Sequence, residues 1–124
     1  MAYYFSQRSK QALATVHQDL EAVLREAIKY YDFSIICGFR GEQEQNRAYN
    51  SGHSRLRWPQ SRHNQQPSGA VDIIPWPSQW TDKAEFLYMA GLVMGIAGAM
   101  GIELEWGGRW ISLDDRAHFQ LKRP

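Results

Sequence analysis

The chain has 124 residues, a formal net charge of +1 and an apolar content of 44% that includes five Trp, six Tyr and five Phe. That is enough for one hydrophobic core and too short for two, so residues 1–124 read as a single domain. Near-neutral charge excludes a global electrostatic drive toward nucleic acid or membrane, and the lone Cys37 excludes an intramolecular disulfide.

Residues 1–10 hold no apolar core of signal-peptide length, which implies synthesis in the cytosol. Over residues 9–31, Leu13, Val16, Leu20, Val23, Leu24, Ala27 and Ile28 recur at intervals of three and four, predicting one amphipathic helix. Residues 33–37 form a short β-branched strand ending at Cys37, which reads as a small buried hydrophobe. A polar helix starts near Gly41 and ends at Ser51 and Gly52. Residues 53–68, rich in Arg, Gln, Ser and Pro, read as a surface loop. Residues 71–74 are the next strand, stopped by Pro75 and Pro77. Asp82 and Glu85 make a helix-capping pair, with Gly101 as the stop. The apolar run 86–100 is shorter than the roughly 20 residues a bilayer requires and reads as a buried helix. Residues 103–106 and 118–121 are candidate strands on either side of a turn at Gly107 and Gly108. The sum is a small α+β domain with a short antiparallel sheet flanked by helices.

A hydrolytic metal site needs three N or O ligands and an open position for water, and His63, Asp72 and His118 supply that set. Asp72 lies among Val71, Ile73 and Ile74, where a carboxylate is costly without a cation or donors. On pattern alone, Asp72 is equally well read as a carboxylate holding backbone amides or an arginine, and His118 as a half-buried strand histidine. No HExxH helix is present.

Ser61-x-His63 running to Ala70-x-Asp72, followed by Asp115-x-x-His118, resembles the D-alanyl-D-alanine carboxypeptidase and dipeptidase family of zinc peptidases. Within it the chain is most similar to phage endolysins of the L-alanyl-D-glutamate peptidase type. Gly38-Phe39-Arg40 with Gln45, Trp106-Gly107-Gly108 and His118-Phe119 look like further landmarks of the family. The resemblance implies a hedgehog/D,D-peptidase-like fold and a Zn2+ ion held by His63, Asp72 and His118. It also implies Asp115 as the general base acting on the metal-bound water and Arg40 as the group steadying the oxyanion. Its expected substrate is the peptidoglycan stem peptide, cut between L-alanine and D-glutamate. The alternatives are a D,D-carboxypeptidase acting on D-Ala-D-Ala and a metal-stabilised binding module without turnover.

The interval from His63 to Asp72 is longer than the commonest family form. Ser68 stands where a glycine is frequent, and Arg109 and Ala117 replace a frequent aspartate and proline. Asp114 adjoins Asp115, but neighbours on an extended segment point to opposite sides, and Asp115 is the one expected to face the metal. Ser61 is expected to support the site by a hydrogen bond. His17, at the border of the first helix, and His53, on the surface, are expected to bind no metal. Arg47, Arg55, Arg57 and Arg62 near Trp58 form a basic region better suited to peptide carboxylates than to nucleic acid. The further expectations are a monomer with no cell-wall-binding module and no stable membrane insertion, made in the host cytoplasm. It would act on periplasmic peptidoglycan after the membrane is permeabilised.

Overall fold

The structure, a computed structural model, describes residues 3–77, 80–110 and 114–122. Its elements in chain order are α1 (Gln7–Leu13), α2 (Gln18–Ala27), β1 (Phe33–Cys37), α3 (Glu42–Asn50), β2 (Ala70–Pro75), α4 (Lys83–Ala99), β3 (Leu104–Trp106) and β4 (His118–Leu121). The strands form one antiparallel sheet in the order β1-β2-β4-β3. The expected α+β class and short antiparallel sheet are what the chain adopts.

The single helix expected over residues 9–31 is two. Val16 leaves the helical path to bridge Ser68, with His17 N–H donating to Ser68 O at 2.9 Å and Ser68 N–H to Thr15 O at 2.8 Å. His17 then starts α2 as its N-cap, its Nδ1 accepting from Asp19 N–H at 3.0 Å. The apolar period runs through this break because Leu13, Val16 and Leu20 are buried whether or not the backbone between them is helical.

The other helix signals match the structure. Gly41 and Ser51 flank α3, Asp82 caps α4 through Glu85 N–H, and Gly52 and Gly101 take positive φ after the helix ends. α4 departs from expectation in being one-sided: Phe86, Met89, Ala90, Val93 and Ala97 are buried, while Leu87 and Tyr88 are exposed. That buried stripe meets α2, which contributes Leu20, Val23, Leu24 and Ala27 to the same core.

The sheet separates core from site by the two-residue alternation of a strand. Val71 and Ile73 of β2, with Phe119 and Leu121 of β4, enter the core. Asp72 and His118 stand directly opposite each other in register, on the other face. β1 carries an irregularity between Ile35 and Cys37, so Cys37 pairs with Asp72 instead of continuing the inward series of Phe33 and Ile35. Cys37 is therefore half-buried beside Asp72 and is not the core residue that simple alternation predicts.

Candidate functional site

His63 sits in a 3-10 turn, Arg62–Asn64, inside a segment expected to be a surface loop. Ser61 caps that turn: its Oγ accepts from His63 N–H at 3.2 Å, and Asn64 Oδ1 accepts from Ser61 N–H at 3.0 Å. This reciprocal cap buries His63 and Asn64 and gives Ser61 the supporting role expected of it. The turn faces β2 and β4, so His63 meets Asp72 and His118. His63 Nε2 lies 3.2 Å from Asp72 Oδ1 and 3.2 Å from His118 Nδ1, which is 3.1 Å from the same carboxylate oxygen.

The outer nitrogens of both rings are committed. His63 Nδ1 lies 2.7 Å from Gly38 O, an obligate acceptor, and therefore carries a proton. His118 Nε2 lies 2.8 Å from Gln120 Oε1 and donates likewise. When the rings are neutral, two nitrogen lone pairs and one carboxylate oxygen thus converge on a common point, a repulsive arrangement unless a cation occupies it. Ligands about 2.0–2.1 Å from a tetrahedral zinc ion stand about 3.3 Å apart, so the spacing of these three atoms fits a small divalent cation. Asp115 joins Asp72 and His118 in a second cluster of ligand-type atoms, its Oδ2 3.9 Å from His118 Nδ1.

Electrostatics tie these groups together. Burial disfavours the charged form of His63, yet the Asp72 carboxylate outweighs that cost and lifts the imidazole pKa to about 10 in the metal-free protein. Burial likewise works against the Asp72 carboxylate, but the charge of His63, and then its pairing with the two imidazoles, hold it well below the usual range. Asp115 moves the other way. Its burial, and then the negative charge of Asp72, raise its proton affinity.

Asp115 is placed by its own loop. Trp106 Nε1 donates to Arg116 O at 2.7 Å, and Asp115 N–H donates to Gly107 O at 3.1 Å. Gly107 lies against this loop so closely that a Cβ there would collide with the backbone carbonyl of Asp115. Asp114 pairs with Arg116 at 3.2 Å and is exposed, so the adjacent carboxylates diverge as the extended geometry predicts.

The family model for the phage L-alanyl-D-glutamate peptidases matches residues 1–122. The chain belongs to this family. It is 29% identical over 128 residues to the L-alanyl-D-glutamate peptidase of Escherichia phage T5, covering 99% of this chain and 92% of that protein. It is also similar to the crystal structure of the Serratia marcescens L-Ala D-Glu endopeptidase ChiX, with 34% identity and a TM-score of 0.81, over 95% of this chain and 89% of that one. The narrower of the two resemblances seen in the sequence is the one these matches support, and the chain is a peptidase.

In the peptidase the converging atoms lie in a cleft of about 720 Å³, large enough for several residues of a peptide. Arg40 lines it, with Nη2 3.4 Å from Asp72 Oδ2 and Nη1 3.1 Å from Gln45 Oε1. Gln45 is fully buried and uses its whole amide: Oε1 also accepts from Asn64 Nδ2 at 3.1 Å, while Nε2 donates to Ser54 Oγ at 3.0 Å and Leu56 O at 2.6 Å. The sequence marks Gln45 only as a family landmark. A polar residue inside a polar helix carries no local sign of burial. Cys37 is the other residue that the pattern misassigned, its Sγ 3.7 Å from His63 Nδ1. His17 and His53 stay apart from the converging ligands, though His53 lines the outer cleft. Among the described residues, no helix is long and apolar enough to cross a membrane.

Proposed function

We propose that this peptidase is a zinc enzyme of the endolysin type that hydrolyses the bond between L-alanine and D-glutamate in the peptidoglycan stem. The observation that carries this reading is the convergence of His63 Nε2, His118 Nδ1 and Asp72 Oδ1, with Asp115 adjoining them. These three atoms would hold the ion, and a donor set of two imidazoles and a carboxylate suits zinc. Bound there, zinc supplies an acidified water and a Lewis acid for the scissile carbonyl.

The protein's own residues do the rest. Asp115 takes the proton of the attacking water at its carboxylate and hands it to the leaving amine, and its raised proton affinity suits both transfers. Arg40 holds the carbonyl oxygen as negative charge develops, and its guanidinium is steadied for that by Gln45. Gly38 O and Gln120 Oε1 keep the two imidazoles in the tautomers that present their inner nitrogens. The peptidase works in the periplasm, reaching the wall once the membrane is permeabilised.

Metal analysis combined with a muropeptide digest tests the reading. The purified protein should contain zinc, and digestion should release whole stem peptides beginning at D-glutamate. Replacing His63, Asp72 or His118 by Ala should abolish metal binding and lysis, while Asp115→Ala should retain metal and lose about 10²–10⁴ in turnover. Loss of a single terminal D-alanine from the muropeptides, or an active His118→Ala protein, refutes the reading.

A further inference from the structure

Two arginines in the cleft wall have no part in the chemistry above. Arg55 and Arg62 both line the cleft that holds Asp72, Asp115 and His118. Among the described residues, no carboxylate lies within ion-pair distance of either guanidinium. The two carboxylates of the cleft are engaged elsewhere: Asp72 faces His63, His118 and Arg40, and Asp115 faces His118.

An unpaired arginine on a protein surface is ordinary; these two differ in how their backbones are held. Arg55 lies between Ser54 and Leu56, and the buried Gln45 amide donates to Ser54 Oγ at 3.0 Å and to Leu56 O at 2.6 Å. The other end of that amide accepts from Arg40 Nη1, so one buried side chain ties the segment carrying Arg55 to the guanidinium at the reaction centre. Arg62 lies between Ser61 and His63 inside the reciprocal cap, and its Nη2 donates to Lys122 O at 3.3 Å. Two cations thus stand on backbone anchored to the site and lack an internal counterion.

The substrate can supply one. This step rests on the proposed cleavage between L-alanine and D-glutamate. A glutamate residue whose amine lies in the scissile bond has two carboxyl groups, and the peptide continues from only one of them. The other is a free carboxylate a few bonds from the leaving nitrogen. Guanidinium is well matched to it, since its planar fork of donors meets both carboxylate oxygens. We infer that Arg55 and Arg62 form a carboxylate subsite on the leaving-group side of the cleft, which receives the free carboxylate of the D-glutamate residue and makes the peptidase selective for the acid over the amide.

The test is steady-state kinetics of the zinc-loaded full chain on three synthetic peptides containing the same bond. In one both carboxylates are free, in the second the free carboxyl of the glutamate is amidated, and in the third only the C-terminal carboxyl is amidated. Wild-type kcat/KM should fall roughly tenfold or more on amidation of the glutamate, the loss expected of a charge-assisted hydrogen bond, and change little on C-terminal amidation. The double variant Arg55→Gln, Arg62→Gln should bring the acid and amide rates within about twofold, through a higher KM for the acid. Arg55→Lys with Arg62→Lys, which keeps the charge but not the planar fork, should retain only part of the preference, between wild type and the double Gln variant. Wild-type indifference to glutamate amidation, a preference that survives in the double Gln variant, or sensitivity to the C-terminal group alone overturns the subsite. A metal-replete wild type that cuts none of the peptides overturns the parent reading of the bond, and the subsite with it.

Discussion

On the proposed ligation, zinc entering the site would displace a proton from His63, and the pH at which that proton is held tests the electrostatics directly. In the metal-free protein, burial disfavours the imidazolium, but the Asp72 carboxylate 3.2 Å from Nε2 outweighs it and holds the pKa up at about 10. An unperturbed histidine titrates near 6.5 and is neutral by about pH 8. Nε2 is the atom that must offer a lone pair, because Nδ1 is committed to Gly38 O at 2.7 Å. At about pH 8 the metal-free His63 should therefore carry protons on both nitrogens, and zinc should strip the one on Nε2. Apparent zinc affinity should rise at least about tenfold per pH unit, 1.36 kcal/mol, between about pH 7 and pH 9. Nitrogen-15 imidazole spectra recorded with and without zinc read the protonation of each nitrogen. The sign for stability follows from the raised folded-state pKa. The ion pair contributes fully below about pH 6.5 and is lost as pH rises through about 10, so the Tm of the metal-free protein should decline across that window. A neutral His63 in the metal-free protein at about pH 8 would refute the reasoning.

Gln45→Leu removes two acceptor contacts and two donor contacts from a fully buried position. Because Asn64 Nδ2 keeps Arg40 O and Leu56 O keeps Ser54 Oγ, the cost should be about 2–3 kcal/mol in a denaturant melt. Turnover should drop as well, with zinc content unchanged. Trp106→Phe deletes the indole donor to Arg116 O while keeping the stack on Phe119. It should cost about 1 kcal/mol and up to about 10²-fold in kcat through a displaced Asp115, with metal affinity retained. His17→Ala removes the cap of α2 and should cost about 0.5–2 kcal/mol in thermal melts without altering turnover.

Much of the fold was legible because its causes are local. The period of three and four that marks α2, the capping pair at Asp82 and Glu85, and the β-branched runs of β1 and β2 each follow from backbone sterics within a few residues. Where local pattern failed, a distant partner was responsible. Ser68 pulls Val16 out of the first helix, and no feature between residues 9 and 31 announces that bond. The register of β1 on β2 turns Cys37 toward Asp72, although alternation from Phe33 and Ile35 assigns it to the core.

The same division holds at the site. Asp72, a charge inside an apolar strand, is conspicuous in the sequence because burying a lone carboxylate is costly, and the divergence of Asp114 from Asp115 follows from extended geometry. The meeting of His63 with His118 across 55 positions, the tautomers imposed by Gly38 O and Gln120, and the burial of Gln45 among four partners were decided only when the sheet and the 3-10 turn packed together. Sequence determines which residue types and local conformations are available. Strand register and packing bring groups remote along the chain within about 3 Å of one another, and at that range hydrogen bonds and ionic interactions select protonation and ligand geometry.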